Sequence, residues 1–343
     1  MSTTVSIDAL TRFAGEALVA GGADAEQAAS VAEALVWADT VGRPNQGVWR
    51  LPILSKRLQS GLFQCPCEPV IEARAPALTA IDGNNGMGHH VGRLAMKTAI
   101  DRTRATGIAA VLVRNSNFLG IAGYYAQLAS ERGMLGLAMS NSFPKVAAHG
   151  GTRPVLGTNP LAFAAPLRDG TSVIVDLATA ASSGSKITKS AEQGDTLPEG
   201  VAVDRDGKPI TDPSRVAQGA LLPFGGAKGY ALAVMVEILS GVMTGAGVAH
   251  GVRSMYGDFG RGGDNGHFFA AIDIERLMPL DAFYERMESL SAVLRHDDGV
   301  LLPGEIRWRE RQQALSAGTV DLDEKTTEAL EVLAGSLGVE LPW

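Results

Sequence analysis

Four segments of this 343-residue chain could hold a ligand by main-chain contact. They read Asn115-Ser116-Asn117-Phe118-Leu119-Gly120, Gly157-Thr158-Asn159-Pro160, Val175-Asp176-Leu177-Ala178-Thr179 and Leu221-Leu222-Pro223-Phe224-Gly225-Gly226-Ala227-Lys228-Gly229. Turns built from Gly, Asn and Thr expose backbone N–H groups and let another molecule approach closely. A lysine beside such a turn, as at Lys228, adds positive charge suited to phosphate. Each turn follows a short apolar run, which points to a phosphate-bearing cofactor held mostly by backbone. No G-x-G-x-x-G stands between a strand and a helix, so the common dinucleotide fold is disfavoured.

The chain is long enough for a large core and two or three lobes. Its 45% hydrophobic and 20% charged residues are ordinary for a globular protein. A net charge of −7 argues against nucleic acid or an acidic membrane as partner, and 6% aromatics leave few stacking platforms for single strands. The two cysteines, Cys65 and Cys67, are spaced too tightly for an easy disulfide and have no nearby histidine. Reduced loop thiols are expected, with no metal site. The N-terminus lacks a basic region followed by an apolar stretch, and the apolar run at 230–248 is broken by Glu237 and several glycines. A cytoplasmic protein with neither leader nor membrane span is therefore expected.

The elements that must position these turns follow from periodicity. Residues 6–18, 24–37 and 50–60 read as helices, the first opened by Ser6-Ile7-Asp8. From residue 76, strand-like runs at 78–81, 108–113, 135–139, 161–164, 172–176 and 267–274 alternate with helices at 90–106 and 121–132. An apolar helix at 227–244 is entered through the glycine turn, and helices return at 280–294, 307–317 and 323–335. The expected fold is α/β: a mixed sheet flanked by N- and C-terminal helices. The expected units are an N-terminal helical region at 1–75, an α/β cofactor- and substrate-binding domain at 76–278, and C-terminal helices at 279–343 that pack with the N-terminal region. Residues 180–220 are polar and proline-containing and read as an excursion or lid rather than core; 257–264 reads as a mobile loop.

Together these motifs resemble the type-2 malate/L-lactate dehydrogenase family over nearly the whole chain, from the N-terminal helices to Leu302-Pro303-Gly304-Glu305. That family also contains ureidoglycolate, sulfolactate and diketogulonate enzymes and the Δ1-piperideine-2-carboxylate/Δ1-pyrroline-2-carboxylate reductases, which this chain most resembles. The resemblance implies a non-Rossmann fold, a homodimer, and NADPH or NADH as cofactor for a small 2-oxo or cyclic imino acid. It implies cofactor contacts at Phe118, Leu119, Gly120, Ile121 and Ala122, at Asp176, Leu177 and Ala178, and at Gly226, Ala227 and Lys228. Arg50 matches the position that grips the substrate carboxylate, a task suited to the two parallel donors of a guanidinium. Thr158 matches a second substrate contact, and Asn45 stands on the same substrate-side segment. The adenine-ribose contacts are not assigned, and Arg and Lys residues near Lys186 and Lys189 could meet a 2′-phosphate, which leaves NADPH and NADH both open.

One departure shapes the expected chemistry. The family has Ser-His-Gly before the arginine, with the histidine as proton donor; here Asn45-Gln46-Gly47 stands instead. The family's second histidine is replaced by Phe118. Gln46 donates a hydrogen bond but cannot release a proton near neutrality, and loss of a positioned acid typically lowers a rate by ~10²–10⁴-fold. A cyclic imine protonated before binding carries its own charge and needs no acid. Reduction of a cyclic imino acid to an L-amino acid is therefore the first reading, with Gln46 holding the substrate beside Arg50. A 2-hydroxy acid dehydrogenase with Lys186 or His149 as substitute donor is the alternative. A paralogue that binds cofactor without redox chemistry is a third. His89 and His90 are read as helix-capping or interface residues, Tyr124 and Tyr125 as helix packing, and Asp204 and Asp206 as a tight turn.

Overall fold

The computed structural model describes residues 2–343, apart from the side chains of Ser185 and Lys189, so the expectation for Lys189 lies outside the described residues. The N-terminal region holds β1 (Thr3–Ser6), α1 (Ile7–Ala20), α2 (Ala25–Thr40) and α3 (Leu51–Gln59). The middle runs β2 (Val70–Ala75), β3 (Leu78–Asp82), α4 (Gly88–Thr106), β4 (Ile108–Ser116), α5 (Ala122–Ser130) and β5 (Met134–Ser140). There follow β6 (Val146–Ala147), β7 (Pro154–Leu156), β8 (Leu161–Pro166), β9 (Ser172–Leu177), α6 (Gly184–Gln193), β10 (Ala202–Val203) and β11 (Ala220–Leu221). The chain closes with α7 (Ala227–Glu237), β12 (Asn265–Asp273), α8 (Leu280–Leu294), α9 (Glu305–Ala317), β13 (Thr319–Leu322) and α10 (Glu324–Leu337).

Seven strands form the main sheet in the order β2-β3-β4-β12-β5-β8-β9. Only β3 and β4 run parallel, joined through α4; the other neighbours are antiparallel. This mixed order differs from the all-parallel doubly wound sheet. One face is covered by α4 and α5, which bury Val91, Ala95, Met96, Ala99, Ala122, Ala126 and Ala129 against Val111, Val113, Ala138, Ala164 and Phe269. The small residues matter here: a Cβ on Gly136 would lie 2.2 Å from the Ala126 carbonyl oxygen, so α5 rests directly on the backbone of β5.

The first helix is amphipathic, with Leu10, Phe13, Ala14, Ala17 and Leu18 buried and Ser6 capping its start. Asp24 caps α2 by accepting from the N–H groups of Glu26 and Gln27. These helices share a core with the chain's end, because β1 pairs antiparallel with β13 and brings Val320, Leu322, Leu330 and Leu333 onto Val5, Leu10 and Phe13. Neither strand was expected from the sequence; each has only four residues, too few for alternation to register.

Residues 180–220 differ from the lid expected of them. Val146, Ala180, Ile187, Leu197, Val201, Ala202, Ile210 and Leu221 form a core of their own beneath a four-stranded sheet ordered β10-β11-β6-β7. Two of its strands come from outside the stretch, so the polar composition concealed a small packed lobe. The π-helical turn Ile238–Val242 ends α7 short of residue 244.

Candidate active site

Two 3₁₀ turns, Pro44–Gln46 and Val48–Arg50, lead from α2 into α3 and carry the substrate-side residues. They are held from behind by Asp39, whose carboxyl accepts the Val48 N–H at 2.9 Å. A side chain at Gly47 would force Asp39 to move, since a Cβ there would lie 1.9 Å from Asp39 Oδ1. Burial pushes the Asp39 carboxyl up to about 8, so at neutral pH it is a protonated prop rather than a buried charge.

Arg50 is 7% exposed and donates to the Tyr256 hydroxyl from Nη1. Its guanidinium carbon lies 4.8 Å from the Trp49 ring centre, 5.3 Å from Phe118 and 5.5 Å from Tyr256. Its Nε is buried without a partner, as is Gln46 Oε1 a few residues upstream. Among the described residues no carboxylate pairs with Arg50. A cation stacked among rings, with an orphaned donor and no counter-ion, is arranged for an anion that arrives from outside. Asn45, Gln46 and Thr158 are each partly exposed.

Tyr256 directly precedes the 257–264 loop that the sequence suggests is mobile. The loop is instead stapled by Arg57, fully buried, which donates to the carbonyls of Met255 (3.2 Å), Asp258 (2.8 Å) and Arg261 (3.3 Å). Phe63 and Phe259 flank that guanidinium. The staple was invisible in sequence because Arg57 lies on α3, far along the chain.

The glycine turns converge. Thr179 donates its N–H and hydroxyl to the Thr158 carbonyl (2.9 and 3.0 Å), and accepts from Phe224 N–H at 3.0 Å. The 157–160, 176–179 and 223–227 turns are thereby laced together. Gly225 and Gly226 sit at φ +56° and +63°, and a Cβ on Gly225 would meet open space. The turn ends at the start of α7, where Ala227 and Lys228 are exposed. His149, also exposed, stands beside Gly226, with Cε1 3.5 Å from where that residue's Cβ would be. Lys186 is exposed on the first turn of α6; no contact of its side chain with the Arg50 cluster is seen among the described residues.

The turn Phe118–Ala122 joins the same region from the other side. Gly120 adopts φ +78°, and a Cβ there would lie 2.5 Å from His89 Nε2. Tyr125 donates its hydroxyl to the Leu119 carbonyl at 2.6 Å, fixing the turn above α5. Asp176 closes against α5: a Cβ on Gly123 would lie 2.9 Å from its Oδ2. Its carboxylate is held by Arg307 at 2.6 Å, and Arg307 also donates to the Asp176 carbonyl at 2.9 Å. Leu177 and Ala178 follow directly on toward Thr179. Two helix N-termini, at Ala122 and Ala227, thus flank glycine turns with left-handed backbone. These could hold the diphosphate and amide groups of a nicotinamide dinucleotide, with helix-end partial charge as the attracting element.

His89 was read as a helix-end residue. It is instead fully buried with both ring nitrogens unpartnered, and its ring lies 5.7 Å from that of Phe118. Burial and the nearby Arg50 pull it down to about 3, so it stays neutral. His90 contacts Ser30 Oγ at 3.2 Å and is a packing residue. His267 is satisfied on both sides, by Ser140 (2.8 Å) and Ser116 (2.9 Å). Buried Glu237 accepts from Asn159 (2.7 Å) and Ala249 N–H (2.8 Å) and props the Thr158 turn.

Sequence reasoning missed Lys145. It precedes β6, and its ammonium lies 4.8 Å from the Phe143 ring centre and 5.6 Å from that of Tyr256. The residue as a whole is exposed, yet desolvation of its ammonium beside these rings and the Arg50 charge push it below the ordinary lysine range. The sequence signal, one lysine in a Phe-Pro-Lys-Val run, is indistinguishable from a surface residue.

The malate/L-lactate dehydrogenase profile matches residues 5–331 of this chain. The L-sulfolactate dehydrogenase of Methanothermobacter thermautotrophicus is 35% identical over 95% of each chain. The Δ1-pyrroline-2-carboxylate/Δ1-piperideine-2-carboxylate reductase of Pseudomonas syringae pv. tomato is 32% identical over 97% of this chain and 96% of its own. The crystal structure of malate dehydrogenase from Entamoeba histolytica superimposes with a TM-score of 0.93 at 31% identity, covering 100% of both chains. With the mixed sheet, the converging glycine turns and the unpaired Arg50, these matches establish that the chain belongs to the malate/L-lactate dehydrogenase family of NAD(P)-dependent oxidoreductases.

Proposed function

We propose that the chain reduces a small carboxylate substrate at the carbon beside the carboxylate, and that a cyclic imino acid of the Δ1-pyrroline- or Δ1-piperideine-2-carboxylate type is turned over to the L-amino acid. The observation that carries this reading is the segment Asn45-Gln46-Gly47 with Arg50: a partnerless guanidinium Nε and a partnerless Gln46 Oε1, and no histidine on the segment. A bound nicotinamide supplies the hydride. Arg50 holds the carboxylate, Gln46 accepts from a protonated ring nitrogen, and Thr158 borders the substrate. Phe118–Ala122, Asp176–Ala178 and Gly226–Lys228 cradle the dinucleotide. Asp176 shapes that cradle by fixing the turn, because its carboxylate and its carbonyl both serve Arg307.

A second reading, a 2-oxo acid, is favoured by the ammonium of Lys145 beside Arg50. Relatives of both kinds exist: the reductase of Pseudomonas syringae by its name acts on cyclic imines, and the Methanothermobacter thermautotrophicus enzyme on sulfolactate. Loss of NADPH or NADH absorbance with a panel of cyclic imines and 2-oxo acids tests both. Turnover of neither, with cofactor bound, would support the non-catalytic alternative. We also propose a homodimer: Met235, Ile238, Val242 and Met243 leave an apolar row exposed at the end of α7, as do Leu290, Val293 and Leu294 on α8. Light scattering after size-exclusion chromatography tests it. Among the described residues no helix is long and apolar enough to cross a membrane; a cytoplasmic location rests on the sequence reading.

A further inference from the structure

Lys145 has no role in the imine reading. Its place in the fold gives it one. The ammonium and the Arg50 guanidinium carbon approach the same Tyr256 ring, at 5.6 and 5.5 Å. A molecule of a few carbons seated on Arg50 therefore lies within reach of Lys145 Nζ. The backbone of Lys145 is fixed on both sides, its N–H donating to Leu156 and its carbonyl accepting from Leu221, each at 2.8–2.9 Å. Phe143 covers one side of the ammonium, and Nζ stands 3.9 Å from where a Cβ of Gly184 would be, at the start of α6. Among the described residues no carboxylate pairs with it.

We infer that Lys145 is the proton donor that lets this same site reduce 2-oxo acids, in the role for which the Gln46 segment carries no acid. This rests on the hydride-transfer reading above. The carbonyl carbon takes the hydride and the carbon–oxygen π pair takes a proton from Lys145 Nζ. The products are a 2-hydroxy acid, an oxidised nicotinamide and a neutral Lys145 amine that is reprotonated from solvent. A protonated cyclic imine needs no such proton, so the two substrate classes separate the role of Lys145 from that of Arg50.

The groups facing Lys145 set the sign of its pH dependence. Arg50 adds positive charge on the substrate side, and Lys186 stands on the first turn of α6, whose Gly184 lies near the Lys145 ammonium. Tyr256 presents its ring. Beyond Phe143, His250, Arg253 and Asp258 line the adjoining cleft, the last two paired at 3.8 Å. Desolvation beside the Phe143 and Tyr256 rings and the Arg50 charge favour its neutral form. Reduction of 2-oxo acids should therefore fall with rising pH below the range of an ordinary lysine.

The test compares the parent enzyme with Lys145→Met and Lys145→Arg on 2-oxo acids and on Δ1-piperideine-2-carboxylate, over a range of pH. NADPH fluorescence titration first confirms that each variant folds and binds cofactor. The expected result is a loss of kcat for 2-oxo acids of ~10²–10⁴-fold in both variants. The falling limb of the pH profile should vanish, imine turnover should change by less than about threefold, and added ethylamine should partly rescue Lys145→Met. Retention of kcat by Lys145→Arg with only KM altered would show a charge role and overturn the inference. Equal loss on both substrate classes would show a positioning role and overturn it too. If the parent enzyme turns over imines but no 2-oxo acid, the inference fails while the hydride-transfer reading stands. If it turns over neither, the hydride-transfer reading itself fails.

Discussion

Replacing Arg50 with methionine tests the core of the site, because binding and stability should move independently. Methionine keeps an unbranched apolar stem that can lie among Trp49, Phe118 and Tyr256, whose ring centres are 4.8–5.5 Å from the guanidinium carbon. It removes the donors that a substrate carboxylate would meet. Two charge-assisted hydrogen bonds at about 1.5–3 kcal/mol each amount to about 3–6 kcal/mol. At about 1.4 kcal/mol per tenfold, kcat/KM should fall by ~10²–10⁴-fold for either substrate class. Stability runs the other way. Arg50 is 7% exposed, lacks a carboxylate partner and leaves Nε unbonded, so the folded protein bears the desolvation of that cation. Arg50→Met should hold or raise the thermal midpoint, offset by loss of the bond to Tyr256 and of the cation–π contacts with Trp49, Phe118 and Tyr256. The assay is steady-state NADPH oxidation at several substrate concentrations, with cofactor affinity by fluorescence and unfolding by scanning calorimetry on the same preparation. Arg50→Lys should fall between the two, since an ammonium cannot make the paired contact. A variant with kcat/KM within threefold of the parent would refute the assignment of Arg50 to the carboxylate. A parallel loss of cofactor affinity would show that the residue serves the dinucleotide instead.

Three further outcomes follow from the same geometry. Asp39 is raised from 3.8 to about 8 in the folded chain, so its contribution is complete below pH 3.8 and is lost as pH rises toward and through 8. Asp39→Asn still accepts the Val48 N–H, and its advantage in urea unfolding should grow from pH 5 to pH 9, reaching on the order of 5 kcal/mol at most; a difference independent of pH would contradict the protonated prop. Gly120→Ala places a Cβ 2.5 Å from His89 Nε2 at φ +78°, so it should cost about 1–3 kcal/mol of stability and weaken NADPH binding; unchanged affinity would remove this turn from the cofactor site. Gln46→His puts a titratable acid on the segment that lacks one, and should raise 2-oxo acid turnover by about tenfold or more while leaving imine turnover near its parent value. An equal gain on both would mean that proton supply never separated the two reactions.

Much of the framework was legible along the chain because its signals are local. Ser6 and Asp24 cap the helices they precede, and the apolar spacing of Leu10, Phe13, Ala17 and Leu18 makes α1 one-faced. The strand runs at 108–113 and 267–274 became the antiparallel pair β4 and β12 at the centre of the main sheet. Family membership was legible too, since it rests on short motifs read one residue at a time. Local pattern did not reveal the four-residue strands that join the two termini, or the core beneath residues 180–220, whose sheet uses strands of two and three residues.

The site divides along the same line. Sequence by itself singled out glycine turns, Arg50 and an absent histidine as the features expected to define the chemistry, because residue type and immediate neighbours suffice for that expectation. Only the tertiary structure decided that Asp39 is a protonated prop, that Arg57 staples the loop carrying Tyr256, that His89 lies unpartnered behind Phe118, and that Lys145 shares a ring with Arg50. A buried or crowded titratable side chain takes its protonation state from groups that approach it in space. Those groups come from distant elements, and no spacing along the chain encodes their approach.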